Sequence, residues 1–220
     1  MPATVKGRMR RNRLKKAAAR LLRTHAFSDL TLEQITEQAE IPTSVFYHYF
    51  SNKAELTLEL IDEVFEKFER EVTLAGPYDK LELGLLAMHN ALLKLHRENA
   101  GLMRCLTEPN FADRWQQHLY SWRKQIAIGL EEFADPEYCD EKEILGIAHA
   151  LSTMSESVAY ELYVTRNPSL RKLLPDIDSA ARFLTILWSR AVFARAPTHV
   201  DENLFSALSH LTGRSNPAPG

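Results

Sequence analysis

Apolar residues recur every three or four positions along most of this chain, and this spacing limits its fold more than any other feature. The clearest stripe lies on the first predicted helix, residues 8–25, and consists of Leu14, Ala17, Ala18, Leu21 and Leu22. Alternating apolar and polar runs do not occur, and the chain has only 8 glycines. The pattern predicts an all-α protein of about nine or ten helices.

Turn and capping signals divide the N-terminal part into four helices. Thr31 is a predicted N-cap with Gln34 three residues on, a capping box that begins the second helix. Pro42 suits the start of a short third helix over residues 43–49, and a fourth helix is predicted over 53–72. The second and third helices have helix-turn-helix spacing.

Gly76–Pro77 is the clearest break in the chain. We therefore predict a helix-turn-helix domain over residues 8–70, a larger helical domain over 71–213 and a disordered tail over 214–220. Helices of the larger domain are predicted at 79–97, 99–107, 110–134, 141–166, 176–196 and 201–212.

Basic residues are concentrated at the N-terminus, although the whole chain has a formal net charge of −2. Residues 1–26 contain 9 lysines and arginines and no acid, which leaves 18 basic and 29 acidic side chains, a net of −11, in the rest. This asymmetry predicts one end that meets an anion such as nucleic acid. The alternative is a solvated basic tail.

Several protein classes are disfavoured. Cys105 and Cys139 are far apart and lack CxxC spacing, which predicts reduced thiols in a cytoplasmic protein rather than disulfides or a zinc site. No apolar run is long enough to span a bilayer, and no GxSxG, GxGxxG, P-loop or HExxH motif occurs. We expect no enzymatic activity, no cofactor, no metal and no membrane partner.

The start of the third helix carries the residue types that read DNA. A recognition helix enters the major groove and meets base edges with small or hydrogen-bonding side chains. Thr43, Ser44 and Val45 occupy that start. Thr31, at the start of the second helix, is predicted to cap it and to contact a phosphate.

Residues 39–56, AEIPTSVFYHYFSNKAEL, resemble the TetR family of bacterial transcriptional regulators, and the resemblance covers about residues 8–68. The most specific matches are Tyr47, Phe50, Lys53 and Leu56. Three positions depart from the family: Glu40 and Ser44 stand where Gly is common, and Thr36 where Ala is usual. Glu40 is expected to strain its turn, because Gly enters left-handed conformations without steric cost.

The resemblance implies roles for several residues. Residues that would contact phosphates are Thr31, Tyr47, His48 and Lys53, while Phe46 and Phe50 would be core. For Tyr47 and Tyr49 the alternative is a core aromatic, and for His48 an exposed side chain without a role. The basic arm over residues 6–13, with Arg8, Arg10 and Arg11, would reach the minor groove or attach to DNA non-specifically.

The larger domain would bind an effector and dimerise, by analogy with the family. Candidate pocket residues, each with plain core as the alternative, are Met88, His89, Leu92, Met103, Trp115, Leu119, Trp122, Met154, Tyr160 and Tyr163. Candidate interface residues on two stripes of Leu and small residues, with intrachain core as the alternative, are Leu151, Val158, Leu162, Leu184, Leu187 and Ala191. His89 and His96 share a helix face, but two histidines do not make a metal site.

The sequence thus predicts a homodimeric regulator that binds double-stranded operator DNA. We expect a repressor that a small apolar ligand releases from a pseudo-palindromic operator. One rival is a regulator without a small-molecule effector, or an activator. A distant rival is a helical adaptor whose basic arm binds a membrane or an acidic protein.

Overall fold

The computed structural model describes residues 4–74, 79–133 and 141–193, and within them it has ten helices and no strand. This confirms the predicted all-α class. The helices are α1 (Val5–Leu21), α2 (Leu32–Gln38), α3 (Thr43–Phe46), α4 (Lys53–Leu74), α5 (Leu81–Glu98), α6 (Ala100–Cys105), α7 (Pro109–Glu131), α8 (Glu141–Tyr163), α9 (Pro168–Leu173) and α10 (Ile177–Phe193). The predicted break at Gly76–Pro77, the helix over 201–212, Cys139 and the tail lie outside the described residues.

Helices α1 to α3 and the first half of α4 pack together, and we call them the N-terminal unit. Leu14 of α1, Ile35 of α2 and Phe46 of α3 are all completely buried, as is Leu22 just after α1, so each helix contributes its apolar face to one core. This packing stabilises helices that would be too short to persist alone.

The remaining helices, α5 to α10, form what we call the body. Helix α5 packs against both α8 and α10, while α7 packs against α8. Helix α4 contacts α1 on one side and α5 and α7 on the other, so it belongs to both parts. A single apolar core runs from the N-terminal unit into the body, and a smaller second core contains Leu93, Ala159, Leu162, Ala180, Ala181 and Leu184.

The structure differs from the predicted elements in three places. Helix α3 ends at Phe46 instead of residue 49, and α9 was not predicted; the Asn167 side chain caps it by accepting from the backbone N–H groups of Ser169 and Leu170. The basic arm over residues 6–13 lies within α1, which was predicted to begin only at residue 8. Helix α1 already begins at Val5, because the Thr4 hydroxyl accepts from Gly7 N at 3.1 Å and caps it. No helix among the described residues combines the length and the hydropathy needed to cross a bilayer.

Candidate nucleic-acid interface and internal cavity

Helix α3 presents polar side chains to solvent above buried aromatic rings. Phe46 is completely buried, and its ring centroid lies 5.7 Å from that of Phe50. Ser44, Tyr47 and His48 are exposed, Tyr47 by 57%, and their side chains make no hydrogen bond within the described ranges. Tyr47 is therefore not a core aromatic, and these three side chains are free to meet a ligand.

The hydroxyl of Thr43 is held by a buried hydroxyl of α2. Thr36 Oγ1 donates to the Glu33 carbonyl at 3.1 Å and lies 3.0 Å from Thr43 Oγ1. A hydroxyl has one proton, so Thr43 donates to Thr36 and keeps lone pairs for an outside donor. The residue that departs from the family pattern, Thr36, thus fixes the first side chain of α3.

The capping box predicted at the start of α2 is confirmed. Thr31 Oγ1 accepts from Gln34 N at 3.2 Å, and Gln34 Oε1 accepts from Thr31 N at 2.8 Å. Thr31 is exposed, and its hydroxyl can still donate outward.

The turn between α2 and α3 contains the strain expected at Glu40, whose φ is 51°. Glu40 N donates to Glu37 O and Ile41 N donates to Thr36 O, both at 2.9 Å, the bonds of a Schellman motif. Glycine is the usual residue at this position because it has no Cβ to oppose the left-handed backbone. Here the Glu40 carboxylate also accepts from Arg13 at 2.8 Å.

Two basic side chains of α1 are used inside the protein. Arg11 forms a bidentate ion pair with Glu59 of α4, with its Nε 3.0 Å from Oε1, and lies over the Phe50 ring. Lys15 is buried and pairs with both Glu59 and Glu63. Burial opposes ionisation of Glu59, but hydrogen bonds from Arg11 and Lys15 outweigh it and lower its pKa. Arg11 as a DNA contact is therefore wrong.

Lys53 is likewise a structural residue and not a free phosphate contact. Its ammonium donates to the carbonyl oxygens of Phe27, Ser28 and Leu30 at 2.8, 3.3 and 2.6 Å and lies 4.6 Å from the centroid of the Phe27 ring. These three bonds use all its protons. Lys53 thereby fastens the turn before α2 to the start of α4. Of the basic residues proposed for DNA, Arg8 is exposed and Arg10 half-buried, and the described part of the chain holds no side-chain partner for either.

Close contacts join the N-terminal unit to the body. A Cβ on Gly101 of α6 would lie 2.2 Å from the Leu22 carbonyl oxygen, so the two backbones touch there. The rings of Phe27 and Phe111 meet edge to face at 4.7 Å. On α4, Asp62 accepts from Arg114 through two bonds of 2.8 Å and lies 2.7 Å from His118 Nε2.

A narrow cavity of about 20 Å³ lies between α4, α5, α7, α8 and α10. Its lining consists of Phe65, Phe68, Met88, Leu92, Leu95, Trp115, Leu119, Trp122, Ile126, Ser152, Ser155, Glu156 and Trp188. It shares Met88, Trp122 and Ile126 with a wider groove of about 490 Å³, which is lined further by Leu81, Leu85, Leu130 and Phe133, among others.

The cavity includes half of the predicted pocket residues. Met88, Leu92, Trp115, Leu119 and Trp122 line it, whereas His89, Met103, Met154, Tyr160 and Tyr163 do not. His89 is completely buried behind the wall, with Nδ1 3.0 Å from Thr185 Oγ1, and desolvation lowers its pKa to about 3. Phe65 and Phe68 of α4 line the cavity without having been predicted, because apolar residues at helical spacing do not by themselves distinguish a cavity wall from ordinary core.

One end of the cavity is polar. Ser155 accepts from Trp188 Nε1 at 2.9 Å, but Ser152 Oγ is buried and has no partner among the described residues. Glu156 Oε1 lies 3.3 Å from Arg123 Nη2. Burial raises the pKa of Glu156 to about 7 in spite of that arginine. In the sequence, this polar end is indicated by Ser152, Ser155 and Glu156, which lie along the otherwise apolar stripe of α8.

Only some of the predicted dimer-interface residues are exposed enough to contact a second subunit. Leu162 and Leu184 belong to the second core of their own chain and are 2% and 0% exposed, so assigning them to an interface is wrong. Leu151, Val158 and Leu187 are half-buried and Ala191 is exposed. Beside them on α10, Phe183 is 44% and Ile186 50% exposed, a pair of large apolar side chains that the stripe analysis missed.

Comparisons with known proteins place these features in context. The family model described as bacterial regulatory proteins, tetR family, matches residues 14–60. The HTH-type transcriptional regulator EthR from Mycolicibacterium smegmatis is 22% identical over 191 residues, which cover 82% of this chain and 84% of that protein.

Solved structures share the fold. A transcriptional regulator from Rhodococcus sp. Rha1 superposes with a TM-score of 0.67 at 16% identity, covering 85% of this chain and 99% of that chain. The fatty acid degradation regulator FadR from Bacillus halodurans superposes with a TM-score of 0.67 at 15% identity, covering 84% and 97%.

Proposed function

This chain belongs to the tetR family of bacterial DNA-binding transcriptional regulators, and we propose that it is a homodimeric repressor released from its operator by a small apolar ligand. Each subunit would place α3 in the major groove of one half of a pseudo-palindromic site, with half-sites about 34–36 Å apart. Residues 8–70 would act as the DNA-binding domain and residues 71–213 as the effector-binding and dimerisation domain.

The observation that carries the proposal is the free polar face of α3. Ser44, Tyr47 and His48 project from a helix anchored by Phe46, so they can bind DNA without giving up an internal bond. We assign base contacts to Thr43, Ser44 and Val45, and phosphate contacts to Thr31, Tyr47, His48 and Arg8. Val45 is half-buried and would offer its exposed methyl groups to a thymine.

Dimerisation would use α8 and α10. Phe183 and Ile186 are exposed and, with the half-buried Leu187, lie three to four residues apart on one face of α10, while Val158 of α8 is half-buried. An isologous two-fold pairing of this surface is the commonest way to bury it, and it matches the symmetry of a palindromic operator.

Helix α4 would transmit the ligand signal. Phe65 and Phe68 form one wall of the cavity, Asp62 binds α7, and Glu59 binds α1. A ligand that widens the cavity therefore pushes on the helix that holds the N-terminal unit. A coupling of about 1–3 kcal/mol between ligand and DNA is typical of such linkage.

The DNA contacts are tested with an operator selected from random duplexes by the purified protein. The double variant Tyr47→Ala with His48→Ala should bind this duplex at least about tenfold more weakly, because two contacts to phosphate are lost. Tyr120→Ala is the matched control, since Tyr120 is an exposed tyrosine of the body at 52%, and it should bind normally. Full affinity in the double variant would overturn the assigned contacts.

Repression and dimerisation need separate measurements. Transcription from a promoter that contains the selected operator should fall when the protein is added; a rise would instead identify an activator. Light scattering should give a dimer, and a strict monomer at micromolar concentration would exclude the two-fold arrangement.

A further inference from the structure

We propose that the cavity and the groove beside it bind an elongated apolar molecule with one small uncharged head group, such as a hydroxyl, which Ser152 and Glu156 hold at the polar end of the cavity. The inference deepens the proposed function, because it takes the cavity to be the effector site. It names the class of ligand, which the family assignment leaves open.

Ser152 is the group that the folded chain leaves unsatisfied. Ser152 is only 5% exposed and lines the cavity. Its hydroxyl has no hydrogen-bond partner among the described residues. Its neighbour Ser155 differs: Trp188 Nε1 donates to it at 2.9 Å, and it lies 3.4 Å from His89 Nε2. A buried hydroxyl without a partner costs about 1–3 kcal/mol, so a ligand that bonds to Ser152 recovers this penalty.

The charges around the polar end cancel one another. Glu156 and Arg123 pair at 3.3 Å, and both side chains are mostly buried, at 19% and 8% exposure. Thr153 also accepts from Arg123 at 3.1 Å. An ammonium or carboxylate head would therefore be buried without a counter-charge of its own, which is costly in a medium of low polarity. An uncharged head can bond to Ser152 and to the Glu156 carboxylate without disturbing this ion pair.

The volumes of the cavity and of the neighbouring groove favour the same class of ligand. The cavity has about 20 Å³, room for a group the size of a water molecule. Met88, Trp122 and Ile126 also line the neighbouring groove of about 490 Å³. A hydroxyl thus fits the cavity, and an alkyl or aryl tail fits the groove.

Calorimetry on the full chain without DNA tests the class with three probes of eight carbon atoms each: 1-octanol, octylamine and octanoate. At pH 7, 1-octanol should bind at least about tenfold more tightly than either charged probe, a ratio equivalent to the loss of one well-formed buried hydrogen bond. Octanoate or octylamine binding as tightly as 1-octanol would overturn the proposal.

Variants locate the head group. Ser152→Ala should weaken 1-octanol about fivefold to tenfold but leave 1-chlorooctane, which lacks the hydroxyl, unchanged. Ser189→Ala is the matched control, because Ser189 Oγ is also buried and unpartnered in the described residues but does not line the cavity. The site would be rejected if Ser152→Ala weakened the binding of 1-octanol and 1-chlorooctane equally. It would also be rejected if Ser152→Ala and Ser189→Ala lost the same affinity for 1-octanol, since Ser152 would then have a merely structural role.

A second variant reverses the selectivity. Glu156→Gln keeps a hydrogen-bond donor and an acceptor but leaves Arg123 without its counter-charge. The carboxylate of octanoate can then pair with Arg123, so the affinity for octanoate should rise relative to that for 1-octanol. An unchanged order of affinities would contradict the charge argument. Because all these measurements are made without DNA, they stand apart from repression: 1-octanol that binds as described but does not release the operator would refute release, not the ligand class.

Discussion

The N-terminal unit and the body treat their buried polar groups in opposite ways. In the N-terminal unit the buried Lys15 binds two carboxylates, and the Lys53 ammonium has three carbonyl acceptors. In the described part of the body, Ser152 Oγ, Ser189 Oγ and Arg123 Nε have no partner. Satisfied polar networks rigidify a structure, whereas unsatisfied ones cost stability. The N-terminal unit is therefore preorganised, and the body retains unsatisfied polar groups, of which Ser152 is the one that we assign to the proposed ligand.

The largest effect is expected where the two regions touch, at Gly101. Gly101→Ala should destabilise the protein by about 3 kcal/mol, because the new Cβ meets backbone that cannot move aside easily. The atoms concerned are the Leu22 carbonyl oxygen and carbon and Arg23 N, at 2.2, 2.5 and 2.8 Å. Urea unfolding monitored by circular dichroism measures the change.

Gly146→Ala is the control for this substitution. Gly146 is also helical, but a Cβ there meets nothing within 4 Å, so the variant should gain about 0.5–1 kcal/mol from helix propensity. If Gly101→Ala behaved like Gly146→Ala, the two regions would not be in backbone contact at α6. A weaker affinity for the operator in Gly101→Ala alone would show that this contact also sets the position of α3.

Acid should weaken the body before the N-terminal unit. Burial lowers the pKa of His89 to about 3 and of His96 to about 4, from an ordinary 6.5. Below pH 6.5 the unfolded chain binds a proton at each of these two histidines, whereas both stay neutral in the folded chain. The free energy of unfolding therefore falls as pH falls. Glu156 opposes this by one proton, since its raised pKa lets the folded chain bind a proton first. The unfolded chain therefore binds a net of one proton more than the folded chain, and the free energy of unfolding falls by about 2 kcal/mol between pH 6.5 and 5.

The ion pairs of the N-terminal unit respond at lower pH. The lowered pKa of Glu59 means that its contribution is complete above the ordinary value of 4.5 and is lost as pH falls below it. Tryptophan fluorescence separates the regions, because all three tryptophans, Trp115, Trp122 and Trp188, belong to the body. A urea midpoint that stays constant from pH 6.5 to 5 would contradict the assignment of buried neutral histidines.

Sequence reasoning succeeded where the deciding contacts are local. The capping box joins Thr31 to Gln34, and the left-handed turn concerns Glu40 alone. These features are set within one helix turn, so the pattern of residue types contains them.

It failed where the partner is distant in sequence. Lys53 meets carbonyls 23 to 26 residues away, and Arg11 meets Glu59 48 residues away. Neither pairing leaves a local pattern, so both residues were assigned to DNA by analogy. Periodicity also shows that Leu162 and Leu184 face something apolar, but not whether that neighbour belongs to the same chain.

The smallest effect is expected at Glu40, the strained point of the otherwise satisfied N-terminal unit. Glu40→Gly removes the Cβ that opposes a φ of 51°, but it also removes the exposed ion pair with Arg13, which is worth little. Glu40→Ala loses the same pair and keeps the Cβ, so the difference between the two variants isolates the strain. We expect the glycine variant to be about 1 kcal/mol more stable than the alanine variant in urea unfolding. Both keep the backbone bonds of the turn, from Glu40 N to Glu37 O and from Ile41 N to Thr36 O, and should therefore bind the operator alike. An alanine variant as stable as the glycine variant would mean that the turn is unstrained and that the N-terminal unit is satisfied throughout.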